Sequence, residues 1–136
     1  MRTYQSLLET NPIRIVLIDG QQLFRAGIRS LLERNAEILV VGEAANREDA
    51  LELVRREQPD LALLELGVME SGGLAFIREL MAAAEHIKVL ILTGIHDIEL
   101  KRQAVQLGAR GLLSKDCSTE ILIIPCLIRH LNVTDN

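Results

Sequence analysis

Four polar residues stand at the ends of short apolar runs and could do chemistry together. Asp19, Glu65, Thr93 and Lys115 each follow or end a separate run. Two carboxylates can hold a hard cation such as Mg²⁺, and a hydroxyl with an ammonium can contact a phosphoryl group. The alternative is a self-neutralising cluster, in which the lysine pairs with the carboxylates at the edge of a sheet. Spacing alone leaves both interpretations open.

Strand-like and helix-like patterns alternate five times and must position these residues. The runs with the length of buried strands are 13–18, 38–41, 61–64, 89–92 and 111–113. The helical segments are 21–34, 46–56, one ending at 84, 98–107, and one from Ser118 or Thr119 to 130. Asn46 is the predicted N-cap of the second helix, with Asp49 in the capping-box position.

This alternation predicts a parallel sheet with helices on both faces. Right-handed crossovers favour a doubly wound (βα)5 sheet in strand order 2-1-3-4-5. Sites on such sheets form beyond the carboxyl ends of the strands, near the switch point between strands one and three. The four polar residues should therefore converge at one edge.

Composition excludes several classes of protein. The chain has 136 residues, of which 49% are hydrophobic and 25% charged, so it is not intrinsically disordered. A net charge of −4 gives no indication of the basic surface that nucleic-acid binding requires. Cys117 and Cys126 form no CxxC pair, and neither a signal peptide nor an apolar run long enough to span a bilayer occurs. These features predict a cytoplasmic domain that makes no membrane contact.

Five short motifs occur in order on the predicted elements. They are Ile-Arg-Ile-Val-Leu-Ile-Asp-Gly at 13–20, Val-Val-Gly-Glu-Ala at 40–44, Gln-Pro-Asp at 58–60, Ile-Leu-Thr at 91–93 and Gly-Ala-Arg-Gly-Leu-Leu-Ser-Lys-Asp at 108–116. Together they resemble the receiver domain of bacterial two-component response regulators, in the NarL/FixJ-like branch with LuxR-type output. The resemblance implies a flavodoxin-like fold over 13–131, an N-terminal extension over 1–12, and the start of a linker over 132–136.

The resemblance also implies roles for the four residues. In the family, an aspartate ending strand three accepts a phosphoryl group from a histidine kinase, and an acidic pair after strand one helps hold Mg²⁺. Asp19 matches the first acid of that pair. Thr93 and Lys115 match the hydroxyl and the lysine that contact the phosphoryl group.

The sequence departs from the family pattern at four positions. Glu65 replaces the acceptor aspartate, and Gly20 replaces the second acid of the pair. Met69 stands where the family has proline, and Leu112 stands at the aromatic switch position. These losses predict an atypical receiver, not an enzyme, that works without aspartyl phosphorylation. Mg²⁺ binding is doubtful, with Asp19 and Glu65 as the remaining candidate ligands.

Two alternatives stay open. The domain could still be phosphorylated by a histidine kinase, weakly or at another residue. A small flavin- or nucleotide-binding domain would use the same fold. The loop Gly20–Leu23 has no run of serine, threonine and glycine to cradle phosphate, and few aromatic residues are available to stack on a flavin.

The last helix predicts an interaction surface. Residues 121–128 are apolar on all sides of a helix, which exceeds the single stripe that packing on a sheet requires. Pro125 should bend this helix. We expect a homodimer, or docking of a C-terminal domain, through Ile121, Ile123, Ile124, Leu127 and Ile128, so that Ile123→Lys or Ile124→Lys gives a monomer. Alternatively, an extension with Tyr4, Leu7 and Leu8 covers the patch.

The remaining partner predictions come from the resemblance. It implies a C-terminal helix-turn-helix domain that would bind DNA, so transcriptional regulation is an expectation drawn from the family. A histidine kinase would face the first helix, where Arg25 and Arg29 are otherwise interpreted as ordinary solvated charges.

Overall fold

One sheet of five parallel strands forms the centre of the molecule. The computed structural model describes residues 11–66, 73–94 and 98–134. The strands are β1 (Ile13–Ile18), β2 (Ile38–Ala44), β3 (Leu61–Leu64), β4 (Lys88–Thr93) and β5 (Gly111–Ser114). Their order is β2-β1-β3-β4-β5, so the predicted flavodoxin-like sheet is confirmed. The predictions for Tyr4, Leu7, Leu8 and Met69 lie outside the described residues.

Helices cover both faces of the sheet and enclose two separate cores. They are α1 (Gln22–Glu33), α2 (Arg47–Glu57), α3 (Gly73–Ala83), α4 (Ile98–Gln106), α5 (Ser118–Leu122) and α6 (Ile124–Thr134). One core joins the sheet to α2, α3 and α4, and the other joins it to α1 and α6. Within the described ranges, every helix is too short or too polar to traverse a lipid bilayer.

The edge strand β2 is longer than the sequence predicted. It continues three residues past 41, to Ala44. The register with β1 skips Val41, which forms a bulge. Beyond the bulge, a Cβ on Gly42 would lie 2.4 Å from Cδ1 of Leu53, so a larger residue there would force the side chain of Leu53 on α2 to shift.

The predicted N-terminus of α2 is confirmed. The side chain of Asn46 accepts a hydrogen bond from the backbone N–H of Asp49, which satisfies one of the free donors of the first turn. At the other end, Gln58 adopts a left-handed conformation with φ of 46°. Its side-chain amide donates to the carbonyl of Ala83 at 2.9 Å and so ties the ends of α2 and α3 together.

The predicted last helix is divided into α5 and α6, with the break at Ile123. The helix is thus interrupted near Pro125, and Pro125 itself lies in the first turn of α6, where its missing N–H costs no helical hydrogen bond. Ile124 and Ile128 are completely buried against the sheet. The prediction that these two form an exposed interface is therefore wrong, and Ile124→Lys should disrupt the core rather than give a monomer.

Candidate functional site

Four side chains meet at the carboxyl edge of the sheet because the strand pairing continues one residue past the strands. The N–H of Asp19 donates to the carbonyl of Ala44, and that of Glu65 donates to Ile18 at 2.9 Å. The N–H of Lys115 donates to the carbonyl of Thr93, also at 2.9 Å. These backbone hydrogen bonds fix the Cα positions at one edge of the sheet. The sequence predicted this convergence.

Lys115 is the centre of the cluster. Its Nζ lies 2.8 Å from Oδ2 of Asp19, 3.2 Å from Oε2 of Glu65 and 2.5 Å from Oε1 of Gln21. The ammonium donates hydrogen bonds to the oxygens of Asp19 and Gln21, and its contact with Oε2 of Glu65 is an ion pair without a hydrogen bond. The three charged side chains are 9%, 9% and 12% exposed for Lys115, Asp19 and Glu65, so their attraction is only weakly screened by water.

The second oxygen of Glu65 is also engaged. The hydroxyl of Thr93, which is completely buried, donates to Oε1 of Glu65 at 3.2 Å. Glu65 therefore contacts both Lys115, which follows β5, and Thr93, which ends β4. Two carboxylates and one ammonium leave a formal charge of −1 on this group.

Sequence reasoning missed two members of the cluster, Gln21 and Phe24. The ring of Phe24 lies 4.0 Å from Nζ of Lys115, which adds a cation–π contact. The N–H of Gln21 donates to Oδ1 of Asp19 at 2.8 Å. A hydrogen bond from an aspartate to the N–H two residues on is the usual Asx turn, so the Asp19–Gln21 contact could have been predicted from spacing.

The other predicted site residues do not touch the ammonium. Gly20 is exposed and supplies no side-chain oxygen. Leu112 packs against the core under α2, α3 and α4. Across residues 11–66, 73–94 and 98–134, no group of three or more histidine, cysteine, aspartate or glutamate side chains could hold a metal ion.

A small cavity lies under the cluster, with room for about one water molecule at about 10 Å³. Its walls include Asp19, Glu65 and Phe24. A flavin or a nucleotide would need a space of several hundred Å³. This cavity therefore gives no support to the alternative of a cofactor-binding domain.

Arg25 and Arg29 are not the ordinary solvated charges that the sequence suggested. Nε of Arg25 and Nη1 of Arg29 lie 2.9 Å and 2.6 Å from the two carboxylate oxygens of Glu43. The hydrogen bond from Arg29 lowers the pKa of Glu43, partial burial acts against it, and Arg25 adds a further lowering. Arg25 also donates to the backbone carbonyl of Asp19, so this ion group supports the turn that carries the cluster.

Comparisons with known proteins agree with this geometry. The profile of the response regulator receiver domain family matches residues 15–124. The chain is 36% identical over 114 residues to the transcriptional regulatory protein DegU of Brevibacillus brevis, which covers 83% of this chain and 48% of DegU. It is 34% identical over 111 residues to the response regulator UvrY of Escherichia coli K12, covering 82% and 51%.

A solved structure extends the comparison to three dimensions. The signal receiver domain of the response regulator NarL from Mycobacterium tuberculosis superposes with a TM-score of 0.79 and 30% identity, covering 90% of this chain and 98% of that one. The chain spans about half the length of the curated relatives it matches. On its sequence, its sheet order and the residues at its carboxyl edge, the chain belongs to the response regulator receiver domain family.

Proposed function

We propose that this chain is an atypical receiver domain of a transcriptional response regulator, and that it acts through protein contacts without conventional aspartyl phosphorylation. The observation that carries the proposal is the position of the Lys115 ammonium, which pairs with both Asp19 and Glu65. The charged side chains of the cluster are paired with one another. An arriving phosphoryl group would have to displace these contacts.

Glu65 is a poor phosphoryl acceptor for two reasons. Its side chain has one methylene more than aspartate, and a misplacement of about 1 Å can reduce a rate about 10²-fold. Both of its oxygens are already engaged, one by Lys115 and the other by Thr93. Phosphoryl transfer depends almost wholly on positioning and charge neutralisation. The longer side chain and the engaged oxygens of Glu65 therefore both oppose the transfer.

The residues present do not fit Mg²⁺. Oδ2 of Asp19 faces the ammonium of Lys115, and Oδ1 of the same carboxylate accepts the N–H of Gln21. Gly20 supplies no oxygen from its side chain. Mg²⁺ demands nearly ideal octahedral geometry, and a competing ammonium between the two carboxylates opposes it. No step of the proposed function uses a metal.

The fixed cluster has a consequence for signalling. A receiver whose acceptor carboxylate is permanently paired holds one conformation, and regulation must then act on what binds its surface. The matched segments cover only 48% and 54% of the relatives named as transcriptional regulatory proteins. We therefore expect a homodimer or another protein partner for this domain, and contact with DNA only through a further domain.

Intact-mass spectrometry after incubation with acetyl phosphate and Mg²⁺ tests the proposal. We expect no phosphoryl adduct on the wild-type chain. The double variant Gly20→Asp/Glu65→Asp restores both missing acids and should acquire one, which shows that the assay detects the chemistry on this fold. The variant Gly20→Asp/Glu65→Gln controls for phosphorylation elsewhere. An adduct on wild-type Glu65 would overturn the proposal in favour of a receiver that a kinase still phosphorylates.

A further inference from the structure

An apolar groove runs between α1 and α5, on the face of the sheet that α1 and α6 cover. Its volume is about 400 Å³. Most of its walls are apolar side chains of these two helices: Leu23, Phe24, Ile28, Leu31, Ile121 and Leu122. Leu23 is 89% exposed and Leu122 is 66% exposed, so the described part of the chain leaves them uncovered. A continuous apolar surface of this kind marks a contact with another segment or another protein.

Gly27 lines the groove from the middle of α1 and has no packing role among the described residues. It lies inside the helix and has no positive φ, so its backbone does not require glycine. A Cβ on Gly27 would meet no atom within 4 Å. Glycine inside a helix costs about 1 kcal/mol relative to alanine. Its missing side chain leaves room for a chain that lies close to α1.

The described chain begins beside one end of this groove. Arg34 directly follows α1 and lines the groove there. Shortly after Arg34, the carbonyl of Glu37 accepts a hydrogen bond from the N–H of Ile13, the first residue of β1, at 2.7 Å. Residues 1–10 therefore join the fold at the Arg34 end of the groove, through the short connection of residues 11–12.

Residues 1–10 have the length and the pattern to follow the groove. The 12 residues of α1 extend about 18 Å at about 1.5 Å per residue. Ten residues span about 15 Å as a helix and up to about 33–36 Å when extended. Tyr4, Leu7 and Leu8 have the i, i+3, i+4 spacing of one helix face. The segment thus offers an apolar stripe of matching length.

The charges of the groove and of the segment are complementary along this path. Arg34 lies toward the edge of the sheet where the strands begin, and Glu120 lies on α5, which follows the carboxyl end of β5. Within the part of the chain that the structure describes, neither side chain makes an ion pair or a side-chain hydrogen bond. A segment that runs backwards from residue 10 along α1 brings Glu9 toward Arg34 and Arg2 toward Glu120.

We propose that residues 1–10 dock into the groove between α1 and α5 of their own chain, with Tyr4, Leu7 and Leu8 over Gly27. Docking removes apolar side chains of both partners from water, and the short connection to β1 keeps the effective concentration of the segment high. A docked segment blocks this face against other proteins, and its release exposes the face. The inference goes beyond the proposed function, which assigns no surface to an internal competitor.

Paramagnetic relaxation in the full chain tests this docking. A spin label on Ser6→Cys, in a background with Cys117→Ser and Cys126→Ser, should strongly broaden the amide signals of Gly27 and Leu122. Signals from α4, which packs on the opposite face of the sheet, should keep their intensity. Unbroadened signals from Gly27 and Leu122, or equal broadening on α4, would overturn the proposal.

A mixed sample distinguishes the chain's own segment from that of a second copy. Spin-labelled chains without isotope label are mixed with isotope-labelled chains that carry no spin label, so any broadening reports a contact between two copies. We expect the signal of Gly27 to keep its intensity in this mixture. Broadening as strong as in the doubly labelled chain would assign the groove to another copy and overturn docking within one chain.

Filling the groove should release the segment. Gly27→Leu places a side chain where a Cβ meets no atom of the described fold, and the label at Ser6→Cys should then no longer broaden Leu122. Ala26→Leu is the matched control, because Ala26 is exposed on the same helix and does not line the groove. Its spectrum should keep the broadening. Equal effects of the two substitutions would contradict the proposed site.

Charge reversal tests the path of the segment. Arg34→Glu should reduce the broadening of Leu122, because it places two glutamates together, and Arg34→Glu combined with Glu9→Arg should restore it. A double variant without recovery would overturn the proposed path. None of these spectra depends on phosphoryl transfer, so a failure of the docking is distinguishable from a failure of the proposed function.

Discussion

Lys115 is the residue on which the carboxyl edge of the sheet depends. Its ammonium pairs with two carboxylates that approach it from β1 and β3, and the three side chains are about nine-tenths buried. Buried carboxylates are stable only where hydrogen bonds and an opposite charge replace the lost water. Here Lys115, Thr93 and the N–H of Gln21 provide those replacements.

Removing this ammonium should destabilise the fold strongly. We expect Lys115→Met to lower the free energy of unfolding by about 3–5 kcal/mol, because methionine keeps the length of the side chain but leaves Asp19 and Glu65 without a counter-charge. Urea unfolding monitored by circular dichroism measures the change.

Lys101→Met is the matched control for this prediction, since Lys101 is exposed on α4. We expect it to stay within about 0.5 kcal/mol of the wild-type chain. Equal unfolding midpoints for the two variants would show that Lys115 is not the stabilising charge.

The convergence of Asp19, Glu65, Thr93 and Lys115 could be predicted because parallel strands bring their carboxyl ends to one edge. The contacts of Gln21 and Phe24 with Lys115 could not. Both residues lie at the start of α1, and a pattern of apolar spacing does not say how far that helix tilts toward β5. Only the assembled fold places an amide oxygen and a ring beside an ammonium 94 residues away from Gln21.

A second group of ion pairs connects helix α1 to the edge strand β2. Arg25 and Arg29 on α1 both bind the carboxylate of Glu43 on β2. Arg25 also donates to the carbonyl of Asp19. The ion group therefore holds α1 against the edge strand and supports the turn from β1 into α1.

This link should make stability depend on pH in the acid range. The hydrogen bond from Arg29 lowers the pKa of Glu43 below its ordinary value of 4.5. A carboxylate with a lowered pKa stabilises the fold above its unfolded pKa, and the contribution is lost as the pH falls through the folded value. Glu43→Gln should thus cost up to about 1 kcal/mol near neutral pH, with the difference from wild type shrinking below about pH 4.5.

Urea unfolding at a series of pH values measures this dependence. Glu52→Gln on the exposed side of α2 serves as the comparison, and its difference from wild type should be small at every pH. A constant difference between Glu43→Gln and wild type across the acid range would contradict the prediction.

The last helix shows where an element could be predicted only in part. Pro125 indicated a break, and the break lies two residues before it. The apolar run 121–128 could not show which residues would face the sheet, because it is apolar on every side. After the break Ile124 and Ile128 lie in the core, while Leu122 and Ile123 stay exposed.

At the scale of the whole molecule, the sheet separates two cores. Leu112, the residue that the family resemblance aligns with the aromatic switch position, packs against the core under α2, α3 and α4. The ion cluster instead contacts Phe24 of α1, which packs against the other core. Leu112 and the cluster residue Phe24 therefore belong to opposite faces of the sheet.

The whole molecule should also be insensitive to Mg²⁺. A ligand that binds only the folded state stabilises it by about 2.7 kcal/mol at 100 times its Kd, and each kcal/mol moves the unfolding temperature by roughly 2–8 °C for domains of this size. Because Lys115 already pairs with the two carboxylates, we expect no such shift for the wild-type chain in differential scanning calorimetry, with sodium chloride matching the ionic strength. Gly20→Asp/Glu65→Asp should gain several degrees on adding Mg²⁺. A comparable gain in the wild type would mean that the cation displaces Lys115.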